Sequence, residues 1–223
     1  MRSFRRLMRQ GIALQRAWVD AATYVPAVNR PPRSGERFAA GTHAYRSKGH
    51  RYKLYIPPAA AESGAPLLVM LHGCTQDPDT FATSTRMNAL ARERGLYVLY
   101  PAQSRKANAM GCWNWFQSRH QERGRGEPAM LASMTKAIVE RYGIDRKRVF
   151  VAGFSAGGAM AAILAAAYPD LFAGAAIHSS PTVASLRGAD RGVPTITFKG
   201  GAHVWSRKPD PTEALVRFFL GVK

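Results

Sequence analysis

The sequence predicts an α/β domain, a mostly parallel sheet with helices on both faces. Three observations carry that prediction. From about residue 41 onward, short apolar runs alternate with stretches of helical periodicity. One of those runs, Pro66 to Leu71 (PLLVML), is continuously apolar, as expected of a strand buried on both faces, and a second, Arg148 to Gly153 (RVFVAG), also reads as a strand. The second run leads through a glycine-flanked serine into an Ala-rich helical segment.

Taken in order, Tyr45 and then Tyr52 to Ile56 (YKLYI) read as early strands, stopped by Pro57 and Pro58. PLLVML is the next strand. Asp79 to Arg94 reads as one helix, with Phe81, Met87, Leu90 and Ala91 at helical spacing and Gly95 as its stop. Leu96 to Tyr100 is a strand, and Pro128 to Tyr142 a helix ending at Gly143. RVFVAG is a strand, Ala156 to Tyr168 a helix ended by Pro169, and Phe172 to Ile177 a strand. Val193 to Phe198 (VPTITF) is the last strand, and Pro211 to Leu220 closes the chain as a helix with Asp210 as its cap.

The 223 residues, 46% hydrophobic and 21% charged, suit one domain with a full core and exclude a disordered tail protein. Residues 1–40 read as a basic, flexible leader and 41–223 as the folded domain. The leader has no apolar core of the length a secretory signal needs, because Arg9, Gln10 and Arg16 interrupt it. No transmembrane segment is expected.

The net charge is +18, from 32 Lys+Arg against 14 Asp+Glu. Such an excess raises a polyanion-binding reading. The arginines are scattered from Arg2 to Arg217, however, and no nucleic-acid-binding motif accompanies them, so a generally basic surface is expected rather than a specific nucleic-acid site. The two cysteines, Cys74 and Cys112, fit either one disulfide or two thiols. No Cys/His cluster has zinc-ligand spacing, and no metal or cofactor is expected.

The chemistry concentrates at Gly153-Phe154-Ser155-Ala156-Gly157-Gly158. G-x-S-x-G between a strand and a helix is the nucleophile elbow of α/β hydrolases, and Ser155 is the candidate nucleophile. The Ala156 N–H, at the helix start, points toward a developing oxyanion. The loop after PLLVML (His72-Gly73-Cys74) is expected to supply the second oxyanion donor, the Cys74 N–H, with Thr75 as its neighbour. His72 precedes the serine, against the Ser, acid, His order of this fold, and reads as structural. His203, in GAHVWS, is the candidate general base, with His178 in reserve.

The acid is missing. Between Ser155 and His203 the only carboxylates are Asp170 and Asp190, and both precede strands, which is the wrong end of the sheet. Only Lys199 to Ala202 separate VPTITF from His203, while a parallel crossover needs about a dozen residues. The sheet is therefore expected to be truncated near its C-terminal strands.

The stretches YKLYIPP, LLVMLHGCTQDPDTFA, TRMNALARERGLYVLYPAQS, CWNWF, GRGEPAML, RVFVAGFSAGGAMAA, YPDLFAGAAIHSS, GAHVWS and ALVRFFL cover most of the chain from about Arg51. In this order they resemble bacterial esterases of the polyhydroxybutyrate depolymerase type, related to feruloyl and acetylxylan esterases. The resemblance implies a serine esterase acting on hydroxyalkanoate oligomers or aryl and acyl esters, with Ser155 as nucleophile and His203 as base. It implies a Cys74–Cys112 disulfide near the oxyanion loop, and an extracellular or periplasmic location. The N-terminus leaves a cytoplasmic location open. The chain departs from the family where VPTITFKG runs straight into GGAHVWS, as if the segment bearing the family's aspartate were deleted. That departure raises the alternative of a decayed or inactive hydrolase.

Overall fold

The structure is a computed structural model that describes residues 35–58, 64–183, 193–198, 204–205 and 210–221. Its first two strands, β1 (Arg37–Tyr45) and β2 (Lys48–Ile56), form an antiparallel hairpin in which Tyr45 faces Lys48. Residues 37–40, expected in the leader, thus belong to a strand. Their run RFAA carries too little apolar alternation to announce one, and the pairing with Lys53 to Ile56 supplies what the sequence pattern lacks.

The remaining elements are β3 (Leu67–Leu71), α1 (Pro78–Thr85), α2 (Met87–Arg94), β4 (Tyr97–Pro101), α3 (Gly126–Tyr142), β5 (Val149–Phe154), α4 (Ala156–Ala167), β6 (Gly174–His178), β7 (Thr195–Phe198) and α5 (Pro211–Leu220). The described strands form one sheet in the order β1-β2-β4-β3-β5-β6-β7. Pairing is antiparallel from β1 through β4 and parallel from β4 to β7.

The apolar runs without alternation serve both faces of this sheet. Leu67, Val69, Leu71, Val149 and Val151 pack with Met130, Ile138, Ile163 and Leu164 of α3 and α4. Their neighbours Leu68, Met70, Phe150 and Ala152 pack with Phe81, Met87, Ala91, Leu215 and Val216 of α1, α2 and α5. Each strand residue has a helix layer to bury against, whichever way its side chain points.

One helix of the sequence reading is two. Asp77 caps α1 through a capping box with Thr80. The hydroxyls of Thr83, Ser84 and Thr85 then bond back to the carbonyls of Asp79 and Phe81. Arg86 adopts a left-handed conformation (φ 55°), and α2 starts afresh at Met87. A Ser/Thr run that competes for helix carbonyls ends α1, where periodicity alone continues it.

Candidate active site

Ser155 sits at the junction of β5 and α4 with φ 55° and ψ −119°. That conformation is strained for a residue with a side chain. Its N–H donates to the His178 carbonyl at 2.9 Å, so the end of β6 holds the turn. The turn demands bare glycines on either side. A Cβ on Gly153 would lie 2.1 Å from the Gly157 carbonyl oxygen, and one on Gly157 would lie 2.0 Å from the Leu71 carbonyl oxygen. Both clashes are with backbone, so no side-chain rotation relieves them.

The loop after β3 comes alongside. Cys74 and Cys112 form a disulfide with Cα atoms 4.2 Å apart, just short of the usual span of about 4.4–6.8 Å. The Thr75 N–H donates to the Met110 carbonyl at 2.8 Å, which removes Thr75 as an oxyanion donor. Among the described residues, no group accepts from the N–H of Cys74 or of Ala156.

His72 is 1% exposed and packed into the structure. Its Nε2 accepts from the Gln103 N–H at 3.2 Å, which leaves the proton on Nδ1 to donate to the Gly73 carbonyl at 2.8 Å. Burial lowers its pKa, against small raising effects of the Gly73 carbonyl and Asp77. The ring is a neutral brace under the loop, in agreement with its place before the serine in sequence.

His178 is buried at the end of β6. Its ring stacks against Trp205 (centroids 4.9 Å apart) and Phe198 (5.6 Å), with Phe154 at 5.4 Å. Trp205 is itself pinned: its Nε1 donates to Thr212 Oγ1, which donates to the Thr85 carbonyl. Trp205, two positions after His203, thus docks on Phe154, which precedes Ser155, and on His178, whose carbonyl holds the Ser155 N–H. His203 and Asp190 lie outside the described residues. Asp170 is held by Arg123 at 2.5 Å on the surface, after the end of α4, and that hydrogen bond depresses its carboxyl to about 2. Its place before β6 is the end of the sheet opposite Ser155.

Sequence reasoning missed a buried polar cluster beneath the disulfide loop. Glu127, in the first turn of α3, accepts from the Asn114 N–H and Nδ2, both at 2.7 Å, and from Gln103 Nε2 at 2.5 Å. The stretches CWNWF and GRGEPAML contain these residues, but no periodicity indicated that Glu127 would be buried. No group of three or more potential metal ligands occurs among the described residues, and no described helix is long and apolar enough to cross a membrane.

The sheet topology and the strained serine between strand and helix define an α/β hydrolase. The chain belongs to the Esterase PHB depolymerase family, whose profile matches residues 50–192, more than half its length. The match ends at residue 192, just before β7. Poly(3-hydroxyalkanoate) depolymerase C of Paucimonas lemoignei is 41% identical over 119 residues, 53% of this chain and 28% of that protein. Feruloyl esterase B of Thermothelomyces thermophilus is 28% identical over 142 residues, 63% of this chain and 47% of that one. Among solved structures, an acetyl xylan esterase from Aspergillus awamori superposes with a TM-score of 0.58 at 26% identity, covering 65% of this chain and 53% of that one. The chain therefore spans about half or less of the length of these relatives.

Proposed function

We propose that the chain is a carboxylic ester hydrolase working through an acyl-enzyme on Ser155. The observation that carries this reading is the backbone at Ser155, strained at φ 55° and packed between two glycines that tolerate no Cβ. Strain of this kind persists where it serves a site. Ser155 Oγ attacks the ester carbonyl and passes its proton to His203. The N–H groups of Cys74 and Ala156 hold the oxyanion. The C–O bond breaks, the alcohol leaves with the proton from His203, and water then releases the acid by the same steps. His203 is assigned from its order after Ser155 and from the anchorage of Trp205 two residues on. The names of the relatives favour hydroxyalkanoate oligomers or aryl and acyl esters as substrates. The Cys74–Cys112 disulfide favours an oxidising compartment, outside the cytoplasm. The basic surface is proposed to bind polyanions only weakly and without sequence preference.

Fluorophosphonate labelling tests the nucleophile. The purified chain is expected to be labelled and Ser155→Ala to be blank; labelling that persists in the alanine variant removes the assignment.

A second reading, an impaired hydrolase, is favoured by Asp170, which is committed to Arg123 on the surface. Replacing the triad carboxylate by an amide in a serine protease costs about 10⁴ in kcat. Slow turnover of p-nitrophenyl acetate with little action on natural esters is the expected behaviour. A kcat of about 10 s⁻¹ or more on an unactivated ester, typical of enzymes, would overturn it.

A further inference from the structure

Glu127 is a carboxylate only 7% exposed in a protein whose charge is strongly positive, and no arginine or lysine pairs with it among the described residues. Three N–H donors satisfy it instead, two from Asn114 and one from Gln103. Burying a carboxylate is costly unless its bonds are made, and satisfied networks of this kind fix one arrangement of the groups they join.

The groups joined here lead to the candidate oxyanion loop by two routes. Gln103 Nε2 also donates to the Cys112 carbonyl at 3.0 Å, and Cys112 is tied to Cys74 by the disulfide. The Gln103 N–H donates to His72 Nε2, and the His72 carbonyl accepts from Trp113 Nε1 at 3.1 Å. The far side of Glu127 is closed by His120, whose Nδ1 accepts the Glu127 N–H at 2.9 Å. Burial lowers the pKa of His120, against the raising effect of Glu127 itself, which favours the neutral ring that this bond requires.

We infer that Glu127 is a positioning residue: from the first turn of α3 it anchors the Gln103–Cys112–Asn114 segment and, through the disulfide, sets the place of the Cys74 N–H relative to Ser155. It touches no substrate. Its contribution to the chemistry rests on the ester-hydrolase reading above; its anchoring of the loop does not. Misplacing a catalytic group by about 1 Å can cost 10²-fold. The loss is expected in the step that develops the oxyanion rather than in substrate binding.

The test uses Glu127→Gln, which keeps the shape but turns one acceptor into a donor facing N–H groups. Gln103→Leu cuts the same link from its other end and stands in if the first variant fails to fold. Hydrogen exchange is followed in peptides covering residues 72–76 and 110–115, with peptides of α4 as the internal control. Fluorophosphonate labelling rates and p-nitrophenyl acetate kinetics are measured on the same samples. Exchange in the two loops is expected to quicken about tenfold or more, as for the loss of a buried hydrogen bond to a charged group. Labelling and kcat are expected to fall about 10- to 100-fold with KM little changed. A lowered melting temperature with loop exchange unchanged relative to α4 marks a merely structural residue and overturns the inference. If loop exchange responds but kcat is unaltered, the positioning role is likewise overturned. A parent chain that is never labelled, with loop exchange responding as expected, supports the anchor and overturns the ester-hydrolase reading instead.

Discussion

The N–H of Ser155 donates to the carbonyl of His178 at 2.9 Å, so the end of β6 holds the elbow that β5 creates. The same histidine packs its ring against Trp205, which α5 and the end of α1 pin through Thr212. The elbow is thus supported from the strand beside it and from a tryptophan separated from it by fifty positions of sequence.

That support leaves no room at the glycines. Gly157→Ala sets a Cβ 2.0 Å from the Leu71 carbonyl oxygen and 2.6 Å from that of His72. A loss of more than about 3 kcal/mol is expected, at or beyond the upper end for single substitutions. Gly143→Ala is the control. Its Cβ meets nothing within 4 Å, and only its φ of +61° opposes a side chain, at about 1 kcal/mol. Denaturant midpoints of the two variants decide the ranking; equal losses would show that the backbone around Gly157 shifts enough to relieve the close approach.

The disulfide closes a loop between positions 38 apart in sequence. The chain-entropy treatment gives about 4 kcal/mol for a loop of that size. The double variant Cys74→Ala/Cys112→Ala is expected to lose roughly that much in denaturant unfolding and to react more slowly with a fluorophosphonate. Intact mass of the untreated protein checks the premise, since two free thiols would add two hydrogens.

Acid should destabilise the protein through its neutral brace. The pKa of His72 is lowered by burial, so below about 6.5 the unfolded chain binds a proton that the folded one refuses. Stability contributed by the neutral ring is complete above 6.5 and is lost as pH falls from there toward the folded pKa. The slope from one such group is at most about 1.4 kcal/mol per pH unit. His43, His50 and His120 are also lowered by burial and add in the same direction. Unfolding free energy measured between pH 7.5 and 5.5 is expected to fall, and the His72 ring signals in NMR to remain those of neutral imidazole below pH 6. A flat profile over that interval would contradict the assignment.

Asp170 should be dispensable to chemistry. It pairs with Arg123, both side chains being more than half exposed, and exposed pairs contribute about 0–1 kcal/mol. Asp170→Ala is expected to leave fluorophosphonate labelling unchanged and to shift stability by less than about 1 kcal/mol. A labelling rate reduced by orders of magnitude would make Asp170 the missing acid.

The amino-acid sequence by itself determined the alternation of strands and helices, the buried strands PLLVML and RVFVAG, the serine at their exit and the cap at Asp210. These are local properties: apolar runs, glycine where no Cβ fits, an aspartate before a proline-led helix. It also showed that too few residues lie between VPTITF and His203 for another crossover. Three features were decided only in three dimensions. β1 is a strand because β2 pairs with it, and its own residues have little strand pattern. The helix breaks at Arg86 because three hydroxyls compete for its carbonyls, which periodicity does not register. Glu127 reads in sequence as an ordinary charged residue just ahead of a helix, and it is buried because Gln103 and Asn114, brought from other segments, satisfy both of its oxygens. Burial of a polar group depends on partners distant in sequence, and for that reason the scaffold of this site was legible in the chain while the support beneath it was not.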